Sequence, residues 1–260
     1  MKKISVLRFI ISLASILIFS SASYAMHPLI TDEAETNGKG KFEVEINSEY
    51  SYDKEKIEGE TVRETEIELE TELTYGITDD IDIKLMVPYT WKKEEEDGEK
   101  DHENGFSDIS LSLKWRFFEK ERFSLALKPF ITLPTGDEEK ELGTGRVSCG
   151  LFLIASTEIE RLEFYTNLGY MRNENRIGER EDIWHASIAT EYEATENLSL
   201  VANLGVEKNR DRESHTNPAF IIGGIVYSIS EHTRIDCGVK WGLNKPETDY
   251  ALLAGIAFEY

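Results

Sequence analysis

Carboxylates occupy every second position of one stretch of this 260-residue chain. The stretch contributes Glu64, Glu66, Glu68, Glu70 and Glu72, and the segment before it adds Glu43, Glu45 and Glu49. Residues two apart share one face of a β-strand, so these side chains form an acidic face. Carboxylates at this density require water, cations or basic partners, because burial disfavours their charged form. The pattern therefore favours a wet or ion-paired interior that attracts cations or polar solutes.

Basic side chains occupy the corresponding alternate positions, on the same face as these acids, in later segments of the chain. They are Lys84, Lys114, Arg116, Lys128, Arg234 and Lys240. One interpretation is an acidic wall facing a basic wall, with a transverse field that favours cations or polar solutes. The other is a solvated interior in which the charges serve folding and solubility. The sequence leaves both interpretations open.

A second set of side chains on this parity is apolar or aromatic. It comprises Phe130, Phe152, Tyr165, Met171 and Phe220. A solute with an aromatic ring could contact this sector. The same side chains could instead pack against an inward-folded loop or against the N-terminal segment, which is the commoner use of such a sector.

Motifs for catalysis or cofactor binding are weak. The stretch from Gly105 to Ile109 lacks the second glycine of a nucleophile elbow. The five histidines are scattered without metal-ligand spacing. His185 lies beside Ser187 on the same face as the charged side chains. An outer-membrane phospholipase instead places its Ser–His pair on the rim that faces lipid. We therefore predict no catalytic residues, no metal site and no cofactor, and a protein that is not an enzyme.

An acidic loop is the one candidate for loosely held divalent cations. Asp97, Glu99, Asp101 and Glu103 cluster within it. Their order does not follow the EF-hand pattern, and a solvated acidic loop is the simpler interpretation.

The elements that position these side chains are β-strands. Ile81, Ile83 and Leu85 alternate with Asp82 and Lys84, a period of two that is typical of a strand with one apolar face. Twelve such segments follow one another, which predicts an all-β, twelve-stranded antiparallel meander closed into a barrel. The predicted strands are 41–52, 63–75, 81–91, 106–117, 123–133, 146–157, 162–171, 183–193, 198–207, 219–229, 234–243 and 249–260.

The connections alternate in length. Short turns at 76–80, 118–122, 158–161, 194–197 and 230–233 alternate with polar loops at 53–62, 92–105, 134–145, 172–182, 208–218 and 244–248. This rhythm is typical of an outer-membrane barrel with short periplasmic turns. With an even strand count, both termini are predicted to be periplasmic.

Aromatic residues on the apolar parity cluster at both strand ends. Trp91, Tyr170 and Trp241 lie near long loops, whereas Tyr75 and Trp115 lie near short turns. Two aromatic belts around an aliphatic band match the two interfaces of a bilayer. A soluble lipocalin-like barrel or sandwich has no reason for this sorting, and twelve strands around an apolar interior would leave an unfilled cavity.

The N-terminus predicts export. Lys2, Lys3 and Arg8 precede an apolar run, and Ser23-Tyr24-Ala25 has the pattern of a cleavage site. We predict a signal peptide over 1–25, a periplasmic N-terminal segment over 26–40 and a transmembrane barrel over 41–260. The net charge of −21 argues against nucleic acid as a partner.

Several motifs together resemble one protein family. They are HPLITDEA at 27–34, GKGKFE at 38–43, YGITD at 75–79, GFSDISLSLKWRF at 105–117, LPTGD at 133–137 and TENLSL at 195–200. In this order they are similar to the MetA-pathway-of-phenol-degradation family. The resemblance implies an outer-membrane barrel for uptake of aromatic or other hydrophobic compounds, and it assigns no site residues.

These observations predict a channel or transporter in the outer membrane of a Gram-negative-type envelope, for passive passage of small solutes that include aromatic or hydrophobic compounds. The expected partners are outer-membrane lipid and a small-molecule solute. The alternative is a structural barrel without an open pore, whose charged loops bind surface partners or lipopolysaccharide through divalent cations. The sequence predicts neither the solute nor the oligomeric state.

Overall fold

The structure is a computed structural model that describes residues 27–57, 60–96 and 99–260. The predicted signal peptide at 1–25 lies outside the described residues. Thirteen strands are present in these ranges: β1 Phe42–Ile57, β2 Glu60–Thr78, β3 Ile81–Glu96, β4 Glu99–Phe106, β5 Ile109–Lys120, β6 Phe123–Leu133, β7 Ser148–Ile159, β8 Leu162–Arg172, β9 Asp182–Thr195, β10 Leu198–Glu207, β11 Ala219–Ser230, β12 Thr233–Gly242 and β13 Tyr250–Glu259. One 3₁₀ helix covers Glu138–Lys140.

The strands form one closed antiparallel barrel. Apart from β4 and β5, neighbours along the chain pair with each other, and β1 closes the barrel by pairing with β13 from Glu43 opposite Glu259 to Tyr52 opposite Tyr250. Strands β4 and β5 both pair with β3 and form one barrel strand in two parts. The interruption lies at Ser107 and Asp108. The prediction of a twelve-stranded antiparallel meander is therefore confirmed.

The outward face of the barrel is apolar. At mid-height Leu111 is 39% and Leu151 is 44% exposed, so the middle of the wall is open to the bilayer rather than packed in a core. Trp91 and Trp241 are exposed near the long loops, and Trp115 is exposed near the short turns. This distribution is that of a transmembrane β-barrel of the outer-membrane type.

Two predicted loops are wrong, because the strands continue through them. β1 extends to Ile57 and β2 begins at Glu60. β3 continues to Glu96, and its last part pairs with β4. The segment 92–105 is almost entirely charged or polar, so it carries no apolar parity. A hairpin that stands in water on both faces needs only backbone pairing, and the alternation that identifies a membrane strand is absent there.

The other long connections contain no strands, as expected. They are 134–147, 173–181, 208–218 and 243–249. The carboxylate of Asp108 accepts hydrogen bonds from the backbone N–H groups of Gly136 at 3.0 Å and Thr144 at 2.8 Å, which ties the 134–147 loop to the interruption between β4 and β5. Among the described residues there is no helix with the length and apolar character needed to cross a membrane.

The N-terminal segment packs on the inner wall of the barrel. We predicted a periplasmic segment over 26–40, of which residue 26 lies outside the described range. Residues 27–37 lie inside the barrel, where Thr31, Glu33 and Ala34 are at most 1% exposed. The reason is that this strandless backbone finds its hydrogen-bond partners on inward-facing side chains. We call residues 27–37 the plug.

Candidate functional site

The plug crosses the lumen along a row of polar side chains, one from each of several consecutive strands. The Oδ1 atom of Asn203 on β10 accepts from the backbone N–H of Thr31 at 3.1 Å. Asn167 on β8 accepts from Asp32 N–H at 2.7 Å and donates to the Asp32 carbonyl at 2.7 Å. Ser156 on β7 accepts from the N–H of Ala34 at 2.8 Å. These contacts hold the plug in one path across the inner wall.

Ion pairs anchor the same segment. The Asp32 carboxylate lies 2.5 Å from the Lys128 ammonium and 3.5 Å from that of Lys114. His27 Nδ1 lies 2.6 Å from Asp236 on β12. The Asp32 side chain is 12% exposed and that of Lys114 is 7% exposed, so these charges compensate each other away from bulk water.

The far end of the plug leads into β1. The N–H of Asn37 donates to Asp82 at 2.9 Å, and Thr36 donates to the Asp79 carbonyl at 2.7 Å. Gly38 and Gly40 have φ values of 87° and 82°, which a side chain would disfavour. The two glycines let the chain turn from the lumen into the wall.

The apolar sector packs largely against the wall. The Phe130 and Phe152 rings stack with their centroids 5.7 Å apart. Phe130 covers Gly150 on the neighbouring strand and Phe152 covers Gly169, at positions where a Cβ atom would collide with the ring. Phe152 also packs on the cluster that contains Ala34 of the plug. For Phe152, the structure thus shows the packing on the N-terminal segment that the sequence left as an alternative to solute contact.

The remaining members of the sector are spread around the barrel. Phe220 is 5% exposed, covers Gly205 and clusters with Ile222 and Leu253. Tyr165 is fully buried, and its hydroxyl donates to Glu163 at 2.9 Å. Met171 is half-buried near the long-loop end of β8. Contact of these side chains with a solute stays a prediction.

A cavity of about 320 Å³ remains between the plug and strands β1–β3. The strands contribute carboxylates and the plug contributes Leu29 and Ile30. Its full lining is His27, Leu29, Ile30, Thr31, Asp32, Glu45, Asn47, Ser48, Glu49, Glu68, Glu70, Glu72, Lys84, Met86 and Lys128. The acidic face identified in the sequence therefore borders open space, whereas the opposite inner wall is covered by the plug and the aromatic rings.

The basic side chains do not form a separate wall, because each pairs with nearby acids. Lys84 pairs with Glu72, and Lys240 lies 2.9 Å from Glu49 and 3.6 Å from Glu247. Arg234 lies 2.8 Å from Glu43 and 2.7 Å from Glu259. Arg116 lies away from the cavity, where it holds the β2–β3 turn through Asp80 at 3.1 Å. With Lys114 and Lys128 committed to the plug, the field in the cavity is set by the acids that remain.

Three carboxylates of the cavity remain without a basic partner. No Lys, Arg or His of the described residues lies within ion-pairing distance of Glu45, Glu68 or Glu70; Glu68 accepts a weak hydrogen bond from Thr90 at 3.4 Å. Glu66 and Glu64 lie nearer the end of β2 at the long loops. Glu66 is 3.6 Å from Lys92, and exposed Glu64 borders a smaller cavity at the barrel mouth.

The mouth is organised by contacts between loops. Lys92 donates to the Glu141 carbonyl at 2.9 Å, and Lys140 pairs with Glu103 at 3.0 Å. The carboxyl of half-buried Glu138 accepts hydrogen bonds from its own backbone N–H and from Arg176, and these bonds lower its pKa below the usual value. These contacts join the β3–β4 hairpin, the 134–147 loop and the 173–181 loop around the opening.

Divalent cations at the acidic loops stay a prediction. Asp97 and the side chain of Glu99 lie outside what is described, and Glu103 is occupied by Lys140. Within the described part of the chain, no group of three or more His, Cys, Asp or Glu side chains is arranged to hold a metal ion.

A Ser–His–Glu contact in the lumen also invites a catalytic interpretation. His185 Nε2 lies 3.0 Å from Ser187 Oγ, and its Nδ1 lies 3.5 Å from Glu207. However, the Thr31 hydroxyl of the plug donates to the Ser187 oxygen at 2.7 Å and covers it. The trio is on the inner face, away from lipid, and serves to hold the plug.

Sequence reasoning missed the residues that fix the plug. Asn203, Asn167, Ser156 and Ser187 are short polar side chains, one on each of the four strands β7–β10, and nothing local distinguishes them from other lumenal residues. The one available signal was their inward parity on strands that are otherwise small or apolar inside. Their shared partner, residues 30–34, is more than 120 positions away in the chain.

The fold and this interior define an outer-membrane β-barrel with a polar lumen. Residues 47–260 match the family described as the MetA pathway of phenol degradation, and the chain belongs to that family. The proposed resemblance is thereby confirmed. No curated protein matches the chain.

Solved structures support the fold. An outer membrane channel from Pseudomonas putida F1 is similar with a TM-score of 0.67 and 14% identity, over 87% of this chain and 98% of that one. The translocator domain of the autotransporter NalP from Neisseria meningitidis has a TM-score of 0.54 and 9% identity, over 86% and 90%. The NanC porin has a TM-score of 0.54 and 7% identity, over 83% and 98%.

Proposed function

We propose that the protein is a passive channel of the outer membrane for small solutes. The observation that carries the proposal is the cavity of about 320 Å³ between the plug and the acidic wall, which leaves part of the lumen unfilled. Similar barrels include an outer membrane channel and a porin, which supports a transport function. The proposal also includes export by a cleaved signal peptide and a periplasmic location of both termini.

The residues proposed to border the pathway are the unpaired acids Glu45, Glu68 and Glu70. The remaining predicted lumen residues, among them Glu43, Glu49, Glu72, Lys84 and Lys240, shape this wall through their ion pairs. The family description supports aromatic compounds among the solutes. The stacked rings of Phe130 and Phe152 lie on the inner wall but outside the lining of this cavity, so a solute would reach them only where the plug leaves them uncovered.

Planar bilayer recording tests the function. Purified mature protein is expected to produce discrete single-channel currents, because water and ions can occupy the polar cavity. A mock purification from cells without the gene is the control. Continuous electrical silence of correctly folded barrel would contradict the proposal.

A second candidate function is supported by the plug itself. The plug bonds to side chains on many strands, as expected of a barrel whose lumen is closed. In such a barrel the function would lie in the charged loops, which would bind surface partners. Electrical silence combined with binding of lipopolysaccharide to the folded barrel would favour this alternative.

A further inference from the structure

The unpaired acids of the cavity carry an inference about the class of solute. Glu45 is only 6% exposed and borders the cavity, yet no basic side chain of the described residues pairs with it. Glu68 and Glu70 border the same space. The lysines that line the cavity are already paired with other acids, so these carboxylates are favoured when the cavity supplies a further cation.

The acids are arranged as a row and not as a cage. Asn47 of β1 lies opposite Glu70, and Glu49 lies opposite Glu68, while Glu45 lies one rung nearer the short turns, opposite Glu72. Carboxylates on successive rungs do not converge on one point, as a metal ion requires. An ammonium group carries three N–H donors on one nitrogen, so it can bridge two neighbouring carboxylates of such a row, such as Glu45 and Glu70.

The side of the cavity facing these acids is partly apolar. The plug contributes Leu29 and Ile30, whereas Met86 of β3 lies on the acidic wall itself, opposite Glu72. A cavity of about 320 Å³ is at the lower end of the range for small-molecule sites. Carboxylates on one side and aliphatic side chains on the other fit a small molecule with a charged head and an apolar body.

We propose that this cavity binds small primary amines in their protonated form, with the ammonium group between Glu45 and Glu70 and the alkyl or aryl body against Leu29 and Ile30. The inference rests on the proposed function in one respect, namely that the bound amine is a solute that passes through the channel. Binding itself does not require passage. An aromatic amine would satisfy both the charge of this wall and the solute class that the family description supports.

Titration calorimetry on the full-length mature barrel in detergent tests the binding. The probes are n-butylammonium and phenethylammonium, with n-butanol and butyrate as controls of equal chain length. We expect the amines to bind at least about tenfold more tightly than the alcohol, because a charge-assisted hydrogen bond contributes roughly 1.5–3 kcal/mol. Butyrate is expected not to bind.

Matched variants locate the site. Glu70→Gln and Glu45→Gln are expected to weaken amine binding about tenfold. Glu66→Gln is the control, because Glu66 lies on the same face of the same strand but outside the cavity and pairs with Lys92. Each variant is first checked for the heat-dependent gel shift of a folded barrel.

The outcomes separate this inference from the proposed function. Equal binding of butylammonium and butanol, or equal losses in Glu66→Gln and Glu70→Gln, would overturn the inference even if the channel conducts. Selective amine binding by an electrically silent barrel would uphold the site and overturn the channel. Amine-dependent block of single-channel current, lost in Glu70→Gln, would support both.

Discussion

Asp32 is the residue on which the plug depends most, since it faces two ammonium groups inside the barrel. Its carboxylate contacts Lys128 and Lys114, and its backbone exchanges two hydrogen bonds with Asn167. The Lys114 side chain is 7% exposed and that of Lys128 is 20% exposed, and Asp32 lies within ion-pairing distance of both. The charge of Asp32 therefore compensates two buried cations at once.

We predict that Asp32→Asn lowers the free energy of unfolding by about 3–5 kcal/mol, because removal of one member of a buried pair leaves the other uncompensated. Guanidinium unfolding in detergent, followed by tryptophan fluorescence, measures the change. The double variant Asp32→Asn with Lys128→Met is the control and should recover part of the loss. An unfolding midpoint equal to that of the wild type would contradict this role for Asp32.

The lumenal rings make a second residue-scale prediction. In Gly169→Ala the new methyl group would collide with the Phe152 ring, so we expect a loss of about 1–3 kcal/mol of unfolding free energy. Gly223→Ala is the matched control, because a Cβ atom there meets nothing closer than Trp241 at 3.9 Å. The comparison uses the same unfolding assay. Losses of the same size at both glycines would show that ring packing is not the cause.

At the scale of elements, the plug occupies part of the lumen beside the cavity. A deletion of residues 27–37 that joins the signal sequence to Gly38 is expected to raise single-channel conductance several-fold, because the lumen widens where the plug had been. A deletion of similar length in the 208–218 loop is the control and should change conductance little. An unchanged current after plug removal would mean that another part of the barrel limits passage.

The strands within the bilayer could be predicted from the sequence because lipid on one side and water on the other impose a period of two. For example, the segment starting at Ile81 was placed correctly. The extension of that strand to Glu96 could not be predicted, since Lys92–Glu96 has water on both faces and no residue type distinguishes the two. The plug escaped prediction for a different reason. Its contacts are between a strandless segment and single side chains on distant strands, and no local pattern records such contacts.

The acidic lumen side chains could be predicted by parity alone, but their pairing could not. Parity places Lys84 and Glu72 on the same face, whereas the pair itself depends on the β2–β3 register, in which Glu72 lies opposite Met86 and Lys84 lies diagonally beside it. The cavity depends on where the plug lies, and so it could be located only from the structure.

At the scale of the whole molecule, the excess of acids sets the ionic preference. We expect currents to be carried mainly by cations in 0.1 M KCl and the preference to fall at 1 M, because the screening length shrinks from about 10 Å to about 3 Å. Reversal potentials under a KCl gradient give the ratio of K⁺ to Cl⁻ permeability. The triple variant Glu66→Gln, Glu68→Gln, Glu70→Gln should lower this ratio at 0.1 M. A ratio unaffected by both salt and substitution would remove the acidic wall from the mechanism.

The plug also has a consequence for the order of assembly. Its docking side chains come from strands distributed from β3 to β12, and its contacts join residues up to 209 positions apart. The full set of partners is in place only when nearly the whole wall has been built, and the contacts over the longest separations are slow to form. The stretch beginning at His27 leaves the ribosome before any strand. We nevertheless expect it to be the last part of the described chain to reach its final position, inside a barrel that is already almost complete.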